Sequence, residues 1–158
     1  MLPPDAGSRR EISGRQEEPF SYPKNVLWEC IRCSRCCRDM AGHQRQILLL
    51  PSEVSEIHKV TGVLRESFVE STEAAPYHYK MVKGDGRCFF QDENTCAIYE
   101  HRPLICRFYP FSLRKKGSAY AFGVSDECPG LGNGKRLDRD FFLSLLRLAQ
   151  TRIRATQL

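Results

Sequence analysis

The chain has 158 residues, of which 41% are hydrophobic and 27% charged, and its formal net charge is +5. This length predicts one domain, and the composition excludes both a disordered chain and a membrane-spanning protein. The longest aliphatic run covers residues 47–50, far short of the roughly 20 apolar residues that a transmembrane helix needs.

The N-terminal residues predict a tail in front of a single domain. Residues 1–19 contain almost no large apolar side chains, which is typical of a disordered segment. We therefore expect the folded domain to span 20–158. No apolar segment typical of a secretory signal is present, so we expect a cytoplasmic protein that does not bind membranes. Extended chain is expected over 20–29.

The first half of the domain predicts one short strand and two short helices. Residues 46–49 form a β-like run. Ser52 is expected to cap a helix that ends at Thr61 and is closed by Gly62. A second short helix is expected over 64–70.

Turn residues predict two hairpins and a loop in the second half. Residues 77–82 and 88–90 are β-prone and flank a Gly-Asp-Gly turn, so we expect them to pair. A second hairpin is expected within 113–124. The glycine-rich segment 129–134 is expected to be a long loop.

The last segment predicts an amphipathic helix from an Asp138 N-cap to about Ala155. Its apolar residues recur at helical spacing and are expected to face the core: Phe141, Phe142, Leu145, Leu146, Ala149 and Ile153. The expected fold is thus α+β: a small cysteine-rich metal-binding domain with short antiparallel strands, two short helices and this C-terminal helix. Because no aromatic residues alternate with the helix's arginines, we do not expect nucleic acid binding.

Eight cysteines are the unusual feature of the composition. In the reducing cytoplasm disulfides are rare, and clustered cysteines more often bind metal or carry out redox chemistry. Four of them form the motif Cys30-x-x-Cys33-x-x-Cys36-Cys37. Thiolates three residues apart can turn toward one metal ion, and three at this spacing can also bind one iron–sulfur cluster. Neighbouring side chains in extended chain point in opposite directions, so Cys36 and Cys37 predict two metal positions, a bridging thiolate, or one spare thiol.

The other four cysteines, Cys88, Cys96, Cys106 and Cys128, are separated by 8, 10 and 22 residues. The absence of a second C-x-x-C argues against a zinc ribbon or RING-like module. This spacing instead predicts ligands that come from separate loops of a folded domain. All eight cysteines are therefore candidate metal ligands, enough for two four-thiolate sites.

The segment around Cys106 adds a prediction about charge. Pro103 suits the first position of a helical turn. Cys106 would then lie in that turn, where free N–H groups lower the pKa of a thiol. Arg102 and Arg107 are expected to balance thiolate charge and to form hydrogen bonds within their loop. Among the histidines, His43 is the best candidate for an additional ligand.

These residues resemble the CxxCxxCC cysteine-cluster family, also called the YkgJ family of zinc- or iron-chelating domains. The resemblance covers about residues 28–130. The matching segments are the four clustered cysteines, Gly86-x-Cys88, Cys96-x-Ile98-Tyr99-Glu100-x-Arg102-Pro103-x-x-Cys106-Arg107-x-Tyr109-Pro110, and Cys128-Pro129-Gly130. The family implies a small cytoplasmic domain that chelates zinc or iron and whose cellular process is undefined.

The cysteine pattern is also similar to that of flagellin lysine-N-methylases. This second resemblance, together with the C-x-x-C-x-x-C run, gives the alternative of an iron–sulfur protein in electron transfer or accessory to a protein-modifying enzyme. A methyltransferase-like enzyme is a third hypothesis, although no Ser-His-Asp, HExxH or phosphate-loop signature is present. No protein partner can be inferred from the sequence.

Overall fold

The computed structural model describes residues 19–157, which form a mixed α+β fold. The α-helices of this part are α1 (Pro51–Thr61), α2 (Arg65–Phe68), α3 (Leu104–Phe108) and α4 (Arg139–Gln157). The strands of the first half are β1 (Phe20–Ser21), β2 (Leu27–Trp28), β3 (Leu48–Leu49), β4 (Val69–Ala74), β5 (Tyr77–Met81) and β6 (Lys83–Gly84). Those of the second half are β7 (Arg87–Cys88), β8 (Gln91–Asp92), β9 (Thr95–Cys96), β10 (Phe111–Lys116), β11 (Ala119–Val124) and β12 (Leu131–Arg136).

The strands form five small sheets rather than one large one. Strand β5 lies between β3 and β4, and the β10–β11 hairpin carries β1 as a parallel edge strand. The other three sheets are the two-stranded pairs β2–β12, β6–β7 and β8–β9. The predicted tail over 1–19 lies outside the described residues except for Pro19, whose carbonyl accepts a hydrogen bond from the Tyr120 N–H at 2.9 Å.

The hydrophobic core is divided into two clusters of buried residues. The first packs α1, α2 and the β3–β5–β4 sheet around Phe68, and it includes the thiols of four cysteines, Cys37, Cys88, Cys96 and Cys106. The second is aromatic and packs the β10–β11 hairpin against α4 around Phe142. Four of the eight cysteines therefore pack against one of the two clusters. Among the described residues, no helix combines the length and apolarity required to span a bilayer.

The predicted C-terminal helix is confirmed as α4. The Asp138 Oδ1 accepts a hydrogen bond from the Phe141 N–H at 3.0 Å, as an N-cap side chain should. Phe142, Leu146 and Ala149 are buried in the aromatic cluster. The predicted hairpin within 113–124 is also confirmed as β10 and β11.

Several local predictions were wrong or incomplete. Helix α1 begins two residues earlier than predicted, because Leu50 and not Ser52 is the N-cap and Pro51 is its first residue, although Gly62 does close it in the left-handed conformation. The second helix is shorter than predicted, because β-branched Val69 starts a strand. The segment predicted as a long loop contains β12, whose pairing with β2 overrides its low strand propensity.

The first predicted hairpin uses the expected turn but different strands. Strand β5 pairs with β3 and β4, and the turn at Asp85 and Gly86 joins β6 to β7 instead. Both turn residues have positive φ, 52° and 72°, which is the conformation that a tight two-residue hairpin turn requires. This turn places Cys88 at the end of the hairpin.

Glu53 joins three helices at one buried point. Its carboxylate is 3% exposed and accepts hydrogen bonds from the Leu50 N–H at 3.0 Å and the Leu104 N–H at 2.6 Å. The Arg152 guanidinium of α4 pairs with the same carboxylate at 2.9 Å. Glu53 therefore fixes the start of α3, the helix that carries Cys106, against α1 and α4.

Replacing Glu53 should destabilise the fold strongly. We expect Glu53→Gln to lower the free energy of unfolding by about 3 kcal/mol, because the half-buried Arg152 guanidinium loses its charged partner. Glu56→Gln on the same helix is the control, since Glu56 pairs with His101 while 49% exposed and should cost less than about 0.5 kcal/mol. Denaturant unfolding measures both, and equal effects would contradict this role of Glu53.

Candidate metal centre

The C-x-x-C-x-x-C-C segment is a loop that turns sharply twice. Arg32 and Ser34 have left-handed backbone conformations, with φ of 54° and 64°. Residues 35–37 then form one 3₁₀ turn, in which the Cys37 N–H donates to the Ser34 carbonyl at 3.2 Å. Because this turn is helical and not extended, Cys36 and Cys37 line the same cavity. The extended-chain premise, under which neighbouring side chains diverge, does not apply to this pair.

Backbone pairing brings Cys88 beside this loop. The Asp39 N–H donates to the Gly86 carbonyl at 2.7 Å, and Arg38 forms an isolated bridge with Arg87. The residue after Arg87 is Cys88, which is buried. The β6–β7 hairpin thus delivers its cysteine next to the end of the motif.

The β8–β9 hairpin delivers Cys96. Strand β9 places Cys96 opposite Gln91. The Cys37 sulfur lies 3.2 Å from the Ser34 carbonyl oxygen and 3.6 Å from the Gln91 Oε1. The Cys37 side chain therefore lies against the hairpin that carries Cys96.

Helix α3 delivers Cys106. Pro103 is the N-cap rather than the first helical residue, and its carbonyl accepts from the Cys106 N–H at 3.0 Å. Cys106 lies within the helical turn, as predicted. Four separate segments of the chain thereby bring thiols to one place.

These thiols share one small cavity of about 100 Å³. Six of the eight cysteines line it: Cys30, Cys36, Cys37, Cys88, Cys96 and Cys106. Cys33 and Cys128 are half-buried and do not line it. All eight are free thiols.

Cys128 lies on a loop that packs against the chain beside Cys30. The Glu29 N–H donates to the Gly130 carbonyl at 3.2 Å. Glycine is required at position 130, because a side chain there would collide with the Glu29 carbonyl. The close approach therefore fixes the loop of Cys128 next to the start of the cysteine motif.

The electrostatics of the thiols differ within the cluster. A hydrogen bond from the Cys37 thiol lowers the pKa of Cys36 from 9.0 to about 6, with further help from the nearby charges of Arg45 and Arg102. The same hydrogen bond raises the pKa of Cys37, because its proton is the one that is shared. Burial raises the pKa of Cys88 to about 11. One thiolate can thus exist in this cluster at neutral pH, with protonated thiols around it.

The prediction of a lowered pKa at Cys106 was wrong. Burial raises the pKa of Cys106, and the neighbouring Cys36 and Cys88 raise it further. One helical turn of α3 supplies too small a dipole to offset this desolvation. Burial likewise raises the pKa of Cys96.

Of the two arginines, Arg102 places its charge near Cys36, and Arg107 forms the predicted loop hydrogen bonds. The Arg107 guanidinium donates to the carbonyls of Arg102 at 3.2 Å and Glu100 at 2.6 Å. Arg102 lines the thiol cavity and stacks on Tyr99, 3.8 Å from the ring centroid. Arg32 stacks on the same ring at 4.4 Å. This stack ties the cysteine motif to the segment before α3.

Sequence reasoning missed Arg45, which contacts the cluster directly. The Arg45 Nε donates to the Cys36 carbonyl at 2.9 Å. Its backbone N–H donates to the Asp39 carboxylate at 2.7 Å, and its carbonyl accepts from Lys83 at 2.8 Å. No motif surrounds Arg45 in the sequence, so only the folded chain could identify it.

The histidines lie apart from the thiols. His43 is exposed and forms a backbone bridge with Met40. The His58 and His101 rings contact the Val63 carbonyl at 2.7 Å and the Glu56 carboxylate at 3.2 Å. His78 is exposed. None of the four lines the thiol cavity.

The thiols converge without forming closed coordination geometry. Within residues 19–157, no three Cys, His, Asp or Glu side chains stand at the spacing that holds a metal ion. The Cys37 sulfur lies within hydrogen-bond distance of two protein oxygens, as suits a protonated thiol. The donor set is nevertheless soft and sulfur-rich, which suits zinc or iron once the thiols lose their protons.

The hydrogen bond from the Cys37 thiol to Cys36 predicts that Cys36 ionises at a lower pH than Cys37. In protein stripped of metal by a chelator, we expect one thiolate to form near pH 6, detected by ultraviolet thiolate absorbance. Cys37→Ala should move this step upward toward 9.0, because the hydrogen bond that stabilises the thiolate is lost. Cys30→Ala is the control and should leave the step in place. An unchanged step in Cys37→Ala would contradict the assignment.

Comparisons with known proteins identify the family of this chain. A family model described as "CxxCxxCC: Putative zinc- or iron-chelating domain" matches residues 29–129, more than half of the chain. The chain is also 28% identical over 133 residues to an uncharacterized protein of Methanocaldococcus jannaschii, a match that covers 76% of this chain and 68% of that relative. No solved structure matches the chain. The match from the first motif cysteine to past the last one establishes that the chain belongs to the CxxCxxCC family of zinc- or iron-chelating domains.

Proposed function

We propose that this protein binds zinc or iron through its cysteines and that all eight contribute to the metal sites. The observation that carries the proposal is the convergence of thiols from four separate segments, 30–37, β7, β9 and α3, on one cavity. Isolated buried cysteines are common in proteins. Five mutually interacting thiols, Cys36, Cys37, Cys88, Cys96 and Cys106, are not explained by packing alone.

Charge supports a cation in this cluster. Burying several thiolates is costly unless positive charge compensates them. Arg45 and Arg102 face Cys36, but two guanidinium groups cannot neutralise five thiolates. A divalent ion supplies the missing charge and removes the thiol protons that burial retains.

The remaining three cysteines supply a second group of donors. Cys30 and Cys33 lie in the motif loop, and Cys128 lies on the loop that the Glu29–Gly130 hydrogen bond holds beside it. We assign Cys30, Cys33 and Cys128 to a more exposed metal position next to the inner cluster. Cys36 or Cys37 would then bridge the two positions, since both belong to the same turn.

We further propose that the chelating domain spans 20–158, preceded by a tail over 1–19. Pairing of β1 with β11 from Phe20 onward and the extension of α4 to Gln157 support these limits. Such a domain could store or deliver the metal, or use it for structural stability. A cytoplasmic location would keep the thiols reduced.

One observation favours an iron–sulfur cluster as the second candidate. Six cysteines line a single cavity instead of two separate four-thiolate sites, and a polynuclear cluster takes its ligands from one such shared pocket. In that case the protein would transfer electrons or assist a protein-modifying enzyme.

Anaerobic purification of the full chain with elemental analysis separates the candidates. Two zinc ions per chain and a colourless solution support chelation of zinc. Stoichiometric iron with visible absorption that dithionite bleaches supports the iron–sulfur candidate. A preparation that contains neither metal contradicts both proposals.

Substitution of single cysteines should lower metal content and stability together. We expect Cys106→Ser to lose at least about half a metal ion per chain. Its melting temperature should also be lower, because metal binding is part of folding. Cys33→Ser should also lower the metal content and the melting temperature, because we assign Cys33 to the more exposed metal position. His43→Asn is the control, since His43 lies outside the thiol cavity. Full metal content and an unchanged melting temperature in both cysteine variants would contradict the ligand assignment.

A further inference from the structure

Helix α3 contributes to a second cavity besides the thiol cavity. This second cavity has a volume of about 460 Å³, within the range of small-molecule sites. Helix α3 contributes Cys106 to the thiol cavity and Leu104, Ile105 and Phe108 to the second one. The turn before β5, strand β10 and helix α4 complete its wall.

The wall is apolar apart from a few groups. Its apolar surface comes from α3, from Phe111 and Leu113 of β10, and from Ala149 and Ile153 of α4. Hydroxyl groups come from tyrosine and serine side chains, and Arg45 is the one charged residue in this wall. A mainly apolar cleft with few polar groups is the usual form of a small-molecule site.

Arg45 has hydrogen-bonding capacity that the described protein groups do not use. Its Nε is occupied by the Cys36 carbonyl, and its guanidinium lies 4.9 Å from the Tyr109 ring centroid. Its Nη2 is buried without a hydrogen-bond partner among the described residues. A buried donor without an acceptor is costly, and a guanidinium matches the geometry of a carboxylate better than that of any neutral group.

We propose that this cavity binds a small molecule that has an apolar body and one carboxylate. The carboxylate pairs with Arg45, and the apolar body packs against α3, β10 and α4. The cavity is distinct from the thiol cavity, and this site goes beyond metal binding. Because Arg45 also donates a hydrogen bond to the Cys36 carbonyl, the same side chain would contact both the ligand and the cysteine motif.

Binding of matched acids and amides to the full chain, as purified with its metal, tests this site. The probes are octanoate and 3-phenylpropionate, which present an aliphatic and an aromatic body, with octanamide and 3-phenylpropanamide as their neutral counterparts. Calorimetric titration should show binding of at least one acid and at least about tenfold weaker binding of its amide, because the charge-assisted hydrogen bond is lost. The stronger acid identifies the class of apolar body.

Two variants connect this binding to the cavity. Ala149→Leu should abolish it, because the larger side chain occupies the volume that the apolar body needs. Ala155→Leu is the matched control, since Ala155 is exposed on the same helix. Arg45→Gln should reduce the preference for acid over amide, and its metal content reports whether the thiol cluster stays intact.

Three results would overturn the proposal. The first is that neither acid binds, and the second is that acid and amide bind equally. The third is that Ala149→Leu binds as well as Ala155→Leu. These outcomes leave metal binding untouched, because the metal content of each variant is measured separately.

Discussion

Buried sulfur atoms that share a cavity constrain the chemistry of this protein. Burial raises the pKa of Cys88 and Cys106, and each thiolate that forms raises the pKa of its neighbours. Two nearby guanidinium groups and one thiol hydrogen bond lower the pKa of a single member, Cys36. Further ionisation at neutral pH would need additional positive charge near the sulfurs. A bound cation would supply it, as we propose, and the family to which the chain belongs is described as zinc- or iron-chelating.

The rest of the fold holds the thiol-bearing segments in place. Glu53 anchors the start of α3 to α1 and α4, and two small hairpins carry Cys88 and Cys96. The aromatic cluster supports α3 from the other direction through Phe108. Because the thiols that line the cavity come from four separate segments, 30–37, β7, β9 and α3, no single element forms the site.

Local signals in the sequence predicted some elements well and others poorly. Asp138 marks a helix start through its side-chain carboxylate, and Gly62 marks a helix end through its left-handed backbone. The β10–β11 hairpin follows from its turn. The pairing of β12 with β2 and the choice of β6 as the partner of β7 depend on distant segments. The candidate ligands followed from cysteine spacing, whereas the raised pKa of Cys106 and the contact of Arg45 with Cys36 depend on burial that appears only in the folded chain.

X-ray absorption spectroscopy at the metal edge, on anaerobically purified full chain, tests the central claim most directly. The account predicts a first coordination shell made of sulfur, with zinc–sulfur distances of about 2.3 Å if the metal is zinc. A first shell dominated by nitrogen or oxygen would contradict it, because the thiols would then not be the ligands.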